Sequence, residues 1–179
     1  MNIISLQRII VFLLALLQFY SNQIYGQNKF VNFNSTQEKE YFNLADNNKN
    51  LLKLSLLADI DEITADKNIS RIDSYINQLN WADADHAKPS KKLKTLFKNI
   101  HNTFLRIYDE NANVYDMFEN GKYNCVTASI LYSYIFEYIN IPYQIKEEPT
   151  HVYVVAYPSK HNIMIENYYS NGRCFCSKH

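Results

Sequence analysis

The spacing of apolar residues changes once along this chain, and this change constrains the fold more than any other feature. Up to residue 138, apolar side chains recur every three or four positions, as they do on one face of a helix. From Tyr143 onward the period is two, as in a strand with one buried face. Because the helices precede the strands and do not alternate with them, we predict an α+β fold with a small antiparallel sheet.

Helix-start signals and apolar stripes locate the helices of the first half of the chain. Ser35-Thr36-Gln37-Glu38 matches a capping box and predicts a helix that continues to about Asp46. Apolar positions predict two further helices, over 51–60 and 69–79. Pro89 precedes a fourth helix, which we expect Ser90 to cap. The apolar stripe of this helix comprises Leu93, Leu96, Phe97, Ile100, Phe104, Leu105 and Tyr108.

The second half combines a long helix with three strands. A short helix over 114–118 is predicted to stop at Asn120-Gly121. The long helix is headed by Cys125, keeps its apolar spacing to Tyr138 and ends before Pro142. The predicted strands cover 143–148, 151–157 and 163–168, with a hairpin turn over 158–162.

Residues 1–26 have the pattern of a secretory signal peptide. Arg8 supplies the positive charge, and the apolar run over 9–17 is about half of the ~20 residues that span a bilayer. We therefore expect an exported protein, periplasmic or secreted, with no stable membrane span after cleavage. The expected organisation is a signal peptide over 1–26, a helical region over 27–89, a core domain over 90–169 and a tail over 170–179. A truncated C-terminus is one interpretation of this short tail.

Composition argues against two functional classes. The formal net charge is zero and the Lys and Arg residues are scattered, so the chain lacks the basic face that binds a nucleic-acid backbone. The chain has only 3 glycines and no Gly-x-Gly-x-x-Gly or Walker sequence, which argues against a phosphate-binding loop. We expect neither a nucleic-acid partner nor a cofactor.

Cys125 lies far from the other two cysteines, Cys174 and Cys176. Exported proteins usually pair their cysteines, so a lone cysteine is either a buried free thiol or a functional one. Cys174, Cys176 and His179 are too closely spaced for a standard four-ligand zinc site, and we expect no metal there. A disordered tail and an intermolecular disulfide are the two interpretations of this segment.

The order of Cys125 and His151 along the chain is typical of a thiolate–imidazolium nucleophile. A thiol reacts as the thiolate, which a helix N-terminus and a neighbouring imidazolium both stabilise. His151 begins a predicted strand, and the hairpin over 158–162 would place Glu166 across from it. Glu166 is therefore the candidate carboxylate that orients His151, and Asn167 is a weaker candidate.

A nucleophile that attacks a carbonyl also needs hydrogen-bond donors for the oxyanion. The backbone N–H of Cys125 is the first candidate, and Asn124 or Tyr123 supplies a second; the sequence leaves this choice open. The other histidines, His86, His101 and His161, lie in polar or helical-surface contexts and are expected to be solvated. Most tyrosines of the Cys125 helix are expected in the core, although Tyr132 and Tyr138 are candidates to line a groove.

Several of these segments together resemble the transglutaminase-like superfamily of cysteine enzymes. They are Tyr123-Asn124-Cys125-Val126-Thr127-Ala128, the helix after it, Ile141-Pro142-Tyr143 and Pro149-Thr150-His151-Val152-Tyr153. The resemblance implies a papain-like enzyme fold over 118–169, with Cys125 as nucleophile, His151 as general acid–base and Glu166 as orienting residue. The family commonly has Asp where this chain has Glu166.

The resemblance implies an exported cysteine hydrolase of the protease or amidase type that cleaves a peptide or amide bond through a thioester. The expected partner is a peptide or protein substrate, and the oligomeric state stays open. Water as acceptor gives hydrolysis and an amine gives transamidation, which the same residues serve. The alternative is a non-catalytic transglutaminase-like domain that binds peptides or supports assembly.

Overall fold

Helices form one layer of the fold and a three-stranded sheet forms another. In a computed structural model the described residues are 32–43, 50–79 and 88–165. The elements are α1 (Thr36–Asn43), α2 (Leu51–Leu57), α3 (Glu62–Gln78), α4 (Pro89–Thr103), β1 (Ile107–Tyr108), α5 (Asp116–Glu119), β2 (Lys122–Tyr123), α6 (Cys125–Tyr138), β3 (Tyr143–Glu148), β4 (His151–Ala156) and β5 (Ile163–Ile165). The predicted α+β class, with helices first and an antiparallel sheet last, is confirmed.

Local hydrogen bonds explain where the first helices begin. The Glu38 N–H donates to Ser35 Oγ at 3.0 Å, so Ser35 caps α1 as the sequence predicts. Helix α4 instead begins at Pro89, with Lys88 in the cap position, which corrects the expectation that Ser90 caps it. Proline is well suited to the first helical position because its missing N–H would have no intrahelical acceptor there.

The core is built around α4 and α6. The predicted stripe of α4 is buried from Leu93 to Ile100, and Phe104 and Leu105 follow it into the core. The Tyr132 ring of α6 is fully buried and stacks on Phe97 with ring centroids 5.6 Å apart. Tyr132 is therefore a core residue and does not line an open groove.

His101 corrects the expectation of a solvated side chain, because it is only 5% exposed. It lies one helical turn after Phe97, and the two rings are 4.1 Å apart between centroids. Its Nδ1 lies 3.2 Å from the Leu105 carbonyl oxygen, so Nδ1 carries the proton and donates. The sequence pattern assigned His101 to the surface because His is counted as polar, whereas its position belongs to the apolar face of α4.

Helix α3 contacts α6 through two hydrogen-bonded pairs. The Tyr134 hydroxyl donates to Asp73 Oδ1 at 2.6 Å, and Tyr138 and Asn77 bond at 2.9 Å one turn later. Both pairs follow the four-residue spacing of neighbouring positions on a helix surface. These hydrogen bonds fix α6 against α3.

The sheet has the order β3-β4-β5 with antiparallel neighbours. Tyr143 pairs with Ala156 at one end of the β3–β4 hairpin and Glu148 pairs with His151 at the other. The short parallel pair β1–β2 is not predicted from the sequence, because two-residue strands carry no periodicity.

Several predictions fall on residues outside the described ranges. They are the signal peptide over 1–26, the end of the first helix at Asp46, His86, Glu166, Asn167 and the tail with Cys174, Cys176 and His179. Within the ranges that are described, no helix is both long and apolar enough to span a membrane.

Candidate active site

Cys125 is the first residue of α6, as the sequence predicts. Asn124 caps this helix: its Oδ1 accepts from the Thr127 N–H at 2.9 Å, and its own N–H donates to Thr127 Oγ1 at 2.9 Å. These reciprocal bonds form a capping box, which fixes the start of α6 at Cys125. The thiol is partly buried and belongs to a free cysteine.

The Asn124 side chain also holds the preceding loop. Its Nδ2 donates to the carbonyl oxygens of Glu110 at 3.1 Å and Ala112 at 2.9 Å. The same loop is fixed by the Lys122 ammonium, 3.0 Å from Asp109 Oδ2, and this hydrogen bond lowers the pKa of Asp109. Asn124 thus acts as a helix cap and loop anchor, and its donors are used by these contacts.

Tyr123, the other sequence candidate for the oxyanion, is buried at 1% exposure. Its ring packs edge-on against His101 at 5.4 Å and against Tyr108 at 5.7 Å. The ring therefore supports the loop from inside the core and does not line the surface beside Cys125. The donors that the site offers are the backbone N–H groups of Cys125 and Val126, which have no intrahelical acceptor, whereas the Thr127 N–H donates to Asn124.

His151 is the first residue of β4, and β4 runs in the same direction as α6. Near the start of both elements, Ser129 Oγ donates to the Val152 carbonyl oxygen at 3.3 Å. Just after the end of both, the Tyr157 N–H donates to the Pro142 carbonyl oxygen at 2.7 Å. Cys125 precedes Ser129 by one helical turn and His151 precedes Val152 by one residue, so both lie at the same end of the α6–β4 layer.

Strand alternation separates the two faces of β4. Val154 and Ala156 are fully buried in the core with α6, whereas His151, Tyr153 and Val155 share the opposite face. His151 is partly buried at the start of the strand. Among the described residues no hydrogen bond joins Cys125 to His151. The fold brings their backbones to one end of the layer, but their side chains are not in hydrogen-bond contact.

Glu148 lies directly opposite His151 and was missed by sequence reasoning. Directly opposite residues in an antiparallel pair share a face, with Cβ atoms about 4.5–5.5 Å apart. The Tyr153 hydroxyl donates to Glu148 Oε1 at 3.2 Å, and the Tyr153 and His151 rings stack with centroids 5.8 Å apart. The signal was the run Glu148-Pro149-Thr150-His151, a two-residue turn between two predicted strands.

The described part of the chain contains no group of three or more His, Cys, Asp or Glu side chains that is placed to hold a metal ion. Comparison of the chain with protein families, with curated proteins and with solved structures finds no match. The case for a function therefore rests on the residues around Cys125 and His151.

Proposed function

We propose that this protein is an exported cysteine hydrolase of the transglutaminase-like type, which cleaves a peptide or amide bond. Cys125 is the nucleophile, His151 is the general acid–base, and Glu166 is the carboxylate that the resemblance assigns to orient His151. The observation that carries the proposal is the common position of the starts of α6 and β4, linked by the Ser129–Val152 hydrogen bond. A helix start favours the thiolate, and a nearby imidazole completes the pair.

The reaction proceeds in two steps. The Cys125 thiolate attacks the substrate carbonyl carbon, and the tetrahedral intermediate collapses to a thioester as the C–N bond breaks and His151 protonates the leaving amine. Water then attacks the thioester, His151 accepts the water proton, and the acid product leaves as Cys125 is released. An amine in place of water gives transamidation by the same steps.

The oxyanion of each intermediate lies near the N-terminus of α6 in this proposal. The backbone N–H of Cys125 is the first donor, and the helix dipole adds favourable electrostatic interaction. Val126, the next residue, is 47% exposed, so a substrate has access to this end of the helix. Asn124 contributes through the cap that fixes the position of these donors.

Acylation by 4-nitrophenyl acetate tests the proposal without knowledge of the natural substrate. We expect a burst of nitrophenolate and an acetyl thioester on Cys125, located by peptide mass mapping of the reduced protein. Cys125→Ser should abolish the thioester, and His151→Ala should slow acylation by about 100-fold, the lower range for a general base. His161→Ala is the matched control and should leave the rate unchanged. Acylation of Cys125 no faster than that of Cys174 and Cys176 contradicts the proposal.

The second candidate is a non-catalytic domain of the same type that binds a peptide or supports assembly. One observation favours it: His151 shares the face of β4 opposite to the α6-facing residues Val154 and Ala156. This candidate predicts equal, slow acetylation of all three cysteines in the wild type and no effect of His151→Ala. The same acylation experiment therefore separates the two candidates.

A further inference from the structure

We infer that Glu148, held by Tyr153, is a second carboxylate that positions His151; this inference rests on the proposed function. Glu148 ends β3 and His151 begins β4, and only Pro149 and Thr150 separate them. The tight turn fixes the two residues directly opposite each other on one face of the sheet.

Tyr153 connects the two side chains. It follows His151 by two positions, so its ring lies on the same face and stacks on the imidazole at an interplanar angle of 22°. Its hydroxyl donates to Glu148 Oε1 at 3.2 Å. One tyrosine therefore restrains the imidazole through its ring and the carboxylate through its hydroxyl.

In the part of the chain that the structure describes, the carboxylate directly opposite His151 is that of Glu148. On the same face, Lys146 of β3 lies opposite Tyr153, and Met164 of β5 lies opposite Val155. The Cys125 thiol lies at the start of α6, at the same end of the layer, and the preceding loop carries Asp109, Glu110 and Lys122. The Glu148 carboxylate is exposed and makes no hydrogen bond to the His151 ring in the free protein. In the inferred arrangement, rotation about the Glu148 side-chain bonds brings the second carboxylate oxygen to a ring nitrogen when substrate binds, since catalytic hydrogen bonds often form fully only in that complex.

A carboxylate beside the imidazole favours the protonated ring and hence the thiolate–imidazolium pair. Removal of the Glu148 carboxylate should slow alkylation at about pH 6, where formation of a thiolate depends on the imidazolium partner. It should have no effect at about pH 9, where an ordinary free thiol is largely ionised. The ratio of Cys125 alkylation rates at these two pH values therefore reports on positioning of His151. A general loss of structure would lower both rates or raise both.

The test measures iodoacetamide alkylation of Cys125 at the two pH values by peptide mass mapping of the reduced full-length protein. Glu148→Gln should lower the pH 6 rate about tenfold, because the imidazolium loses a neighbouring negative charge, and leave the pH 9 rate unchanged. Glu148→Asp should restore part of the rate, and Tyr153→Phe should lower it less than Glu148→Gln does. Glu147→Gln is the matched control, because Glu147 pairs with Val152 and lies on the other face.

The outcomes separate the two claims. Fast alkylation at pH 6 that depends on His151 but is unaffected by Glu148→Gln overturns this inference and leaves the proposed function in place. An equal loss of alkylation rate in Glu148→Gln and Glu147→Gln also overturns this inference, because the effect is then structural. The same holds for an equal loss of rate at both pH values. Slow alkylation in the wild type that is insensitive to His151→Ala overturns both claims.

Discussion

The two sides of α6 are held in different ways. Towards α3, the helix is fixed by the Tyr134–Asp73 and Tyr138–Asn77 hydrogen bonds. Towards the β3–β4 hairpin, Ser129 Oγ donates to the Val152 carbonyl oxygen over a longer distance of 3.3 Å. Residues 144–148 of β3 are exposed, whereas Val154, Val155 and Ala156 at the far end of β4 are buried.

The proposed nucleophile, Cys125, and its partner, His151, lie on two elements that are held in these different ways. Cys125 lies on a helix whose start is fixed by a capping box and whose body is packed in the core. His151 is partly buried and begins β4 beside the exposed turn of the hairpin, next to Val152, whose carbonyl accepts from Ser129. The account therefore expects mutations in the helical layer to lower stability and mutations at the hairpin tip to change reactivity instead.

The largest expected effect comes from apolar burial. Ile135→Ala removes a fully buried side chain of α6 and should lower the free energy of unfolding by about 2–5 kcal/mol. Ile145→Ala is the matched control on β3, where the side chain is 44% exposed, and should change it by less than about 0.5 kcal/mol. Urea unfolding of both variants measures the difference, and similar losses would show that the hairpin is as tightly packed as the helix.

The next effect concerns the polar contact between α3 and α6. Tyr134→Phe removes a hydrogen bond to a carboxylate and should cost about 1.5–3 kcal/mol, since charged partners strengthen such bonds. Tyr138→Phe removes an exposed bond to Asn77 and should cost less, about 0.5 kcal/mol. Equal costs in urea unfolding would contradict the assignment of Tyr134 as the stronger contact.

The Tyr134 contact also predicts a pH dependence. Burial first, and then the hydrogen bond to Asp73, raise the pKa of Tyr134 well above its ordinary value. The folded chain therefore keeps the Tyr134 proton at pH values where the unfolded chain releases it, and this contribution to stability is complete below about pH 10 and lost as the pH rises further. The difference in the free energy of unfolding between wild type and Tyr134→Phe should shrink above that pH. A difference that grows with pH would contradict this prediction.

The asparagine caps of α6 and α2 should contribute similar amounts to stability, but only the cap of α6 should affect the reactivity of Cys125. Asn124→Ala and Asn50→Ala each remove a cap and should each cost about 1–2 kcal/mol. Only Asn124→Ala should also slow alkylation of Cys125, because Asn50 caps α2. If both variants slow alkylation equally, the effect is a general loss of structure and the cap of α6 has no special role.

The smallest effect on stability tests the link between helix and hairpin. Ser129→Ala removes the hydrogen bond to Val152 and should cost about 0.5–1 kcal/mol. Ser55→Ala is the control, because Ser55 donates within α2 to the Leu51 carbonyl oxygen at 2.8 Å. Cys125 alkylation at about pH 6 should be slower in Ser129→Ala alone. Unchanged alkylation would show that this bond does not position the hairpin.

The sequence predicted the elements with strong periodicity. The start of α6 at Cys125, the β3 strand and the turn after β4 follow from helical apolar spacing, an alternating run and a Pro-containing turn. The burial of His101 follows from its position four residues after Phe97 on the apolar face of α4, although histidine is typical of the surface.

The candidate site was predicted in part. The sequence places Cys125 at the start of a helix and His151 at the start of a strand, and the fold brings these two starts to the same end of the α6–β4 layer. The role of Asn124 as a loop anchor depends on the carbonyl groups of residues 110 and 112, which no local pattern places beside it. The position of Glu148 opposite His151 follows from the two-residue turn over 149–150, which sets the register of β3 against β4.

The most direct test of the account is the rate at which iodoacetamide alkylates Cys125 at about pH 6, where an unassisted thiol is almost fully protonated. The account predicts that Cys125 reacts much faster than Cys174 and Cys176 in the reduced wild-type protein. It also predicts that His151→Ala removes this advantage and His161→Ala does not. Equal, slow alkylation of the three cysteines, unchanged by His151→Ala, would contradict the account.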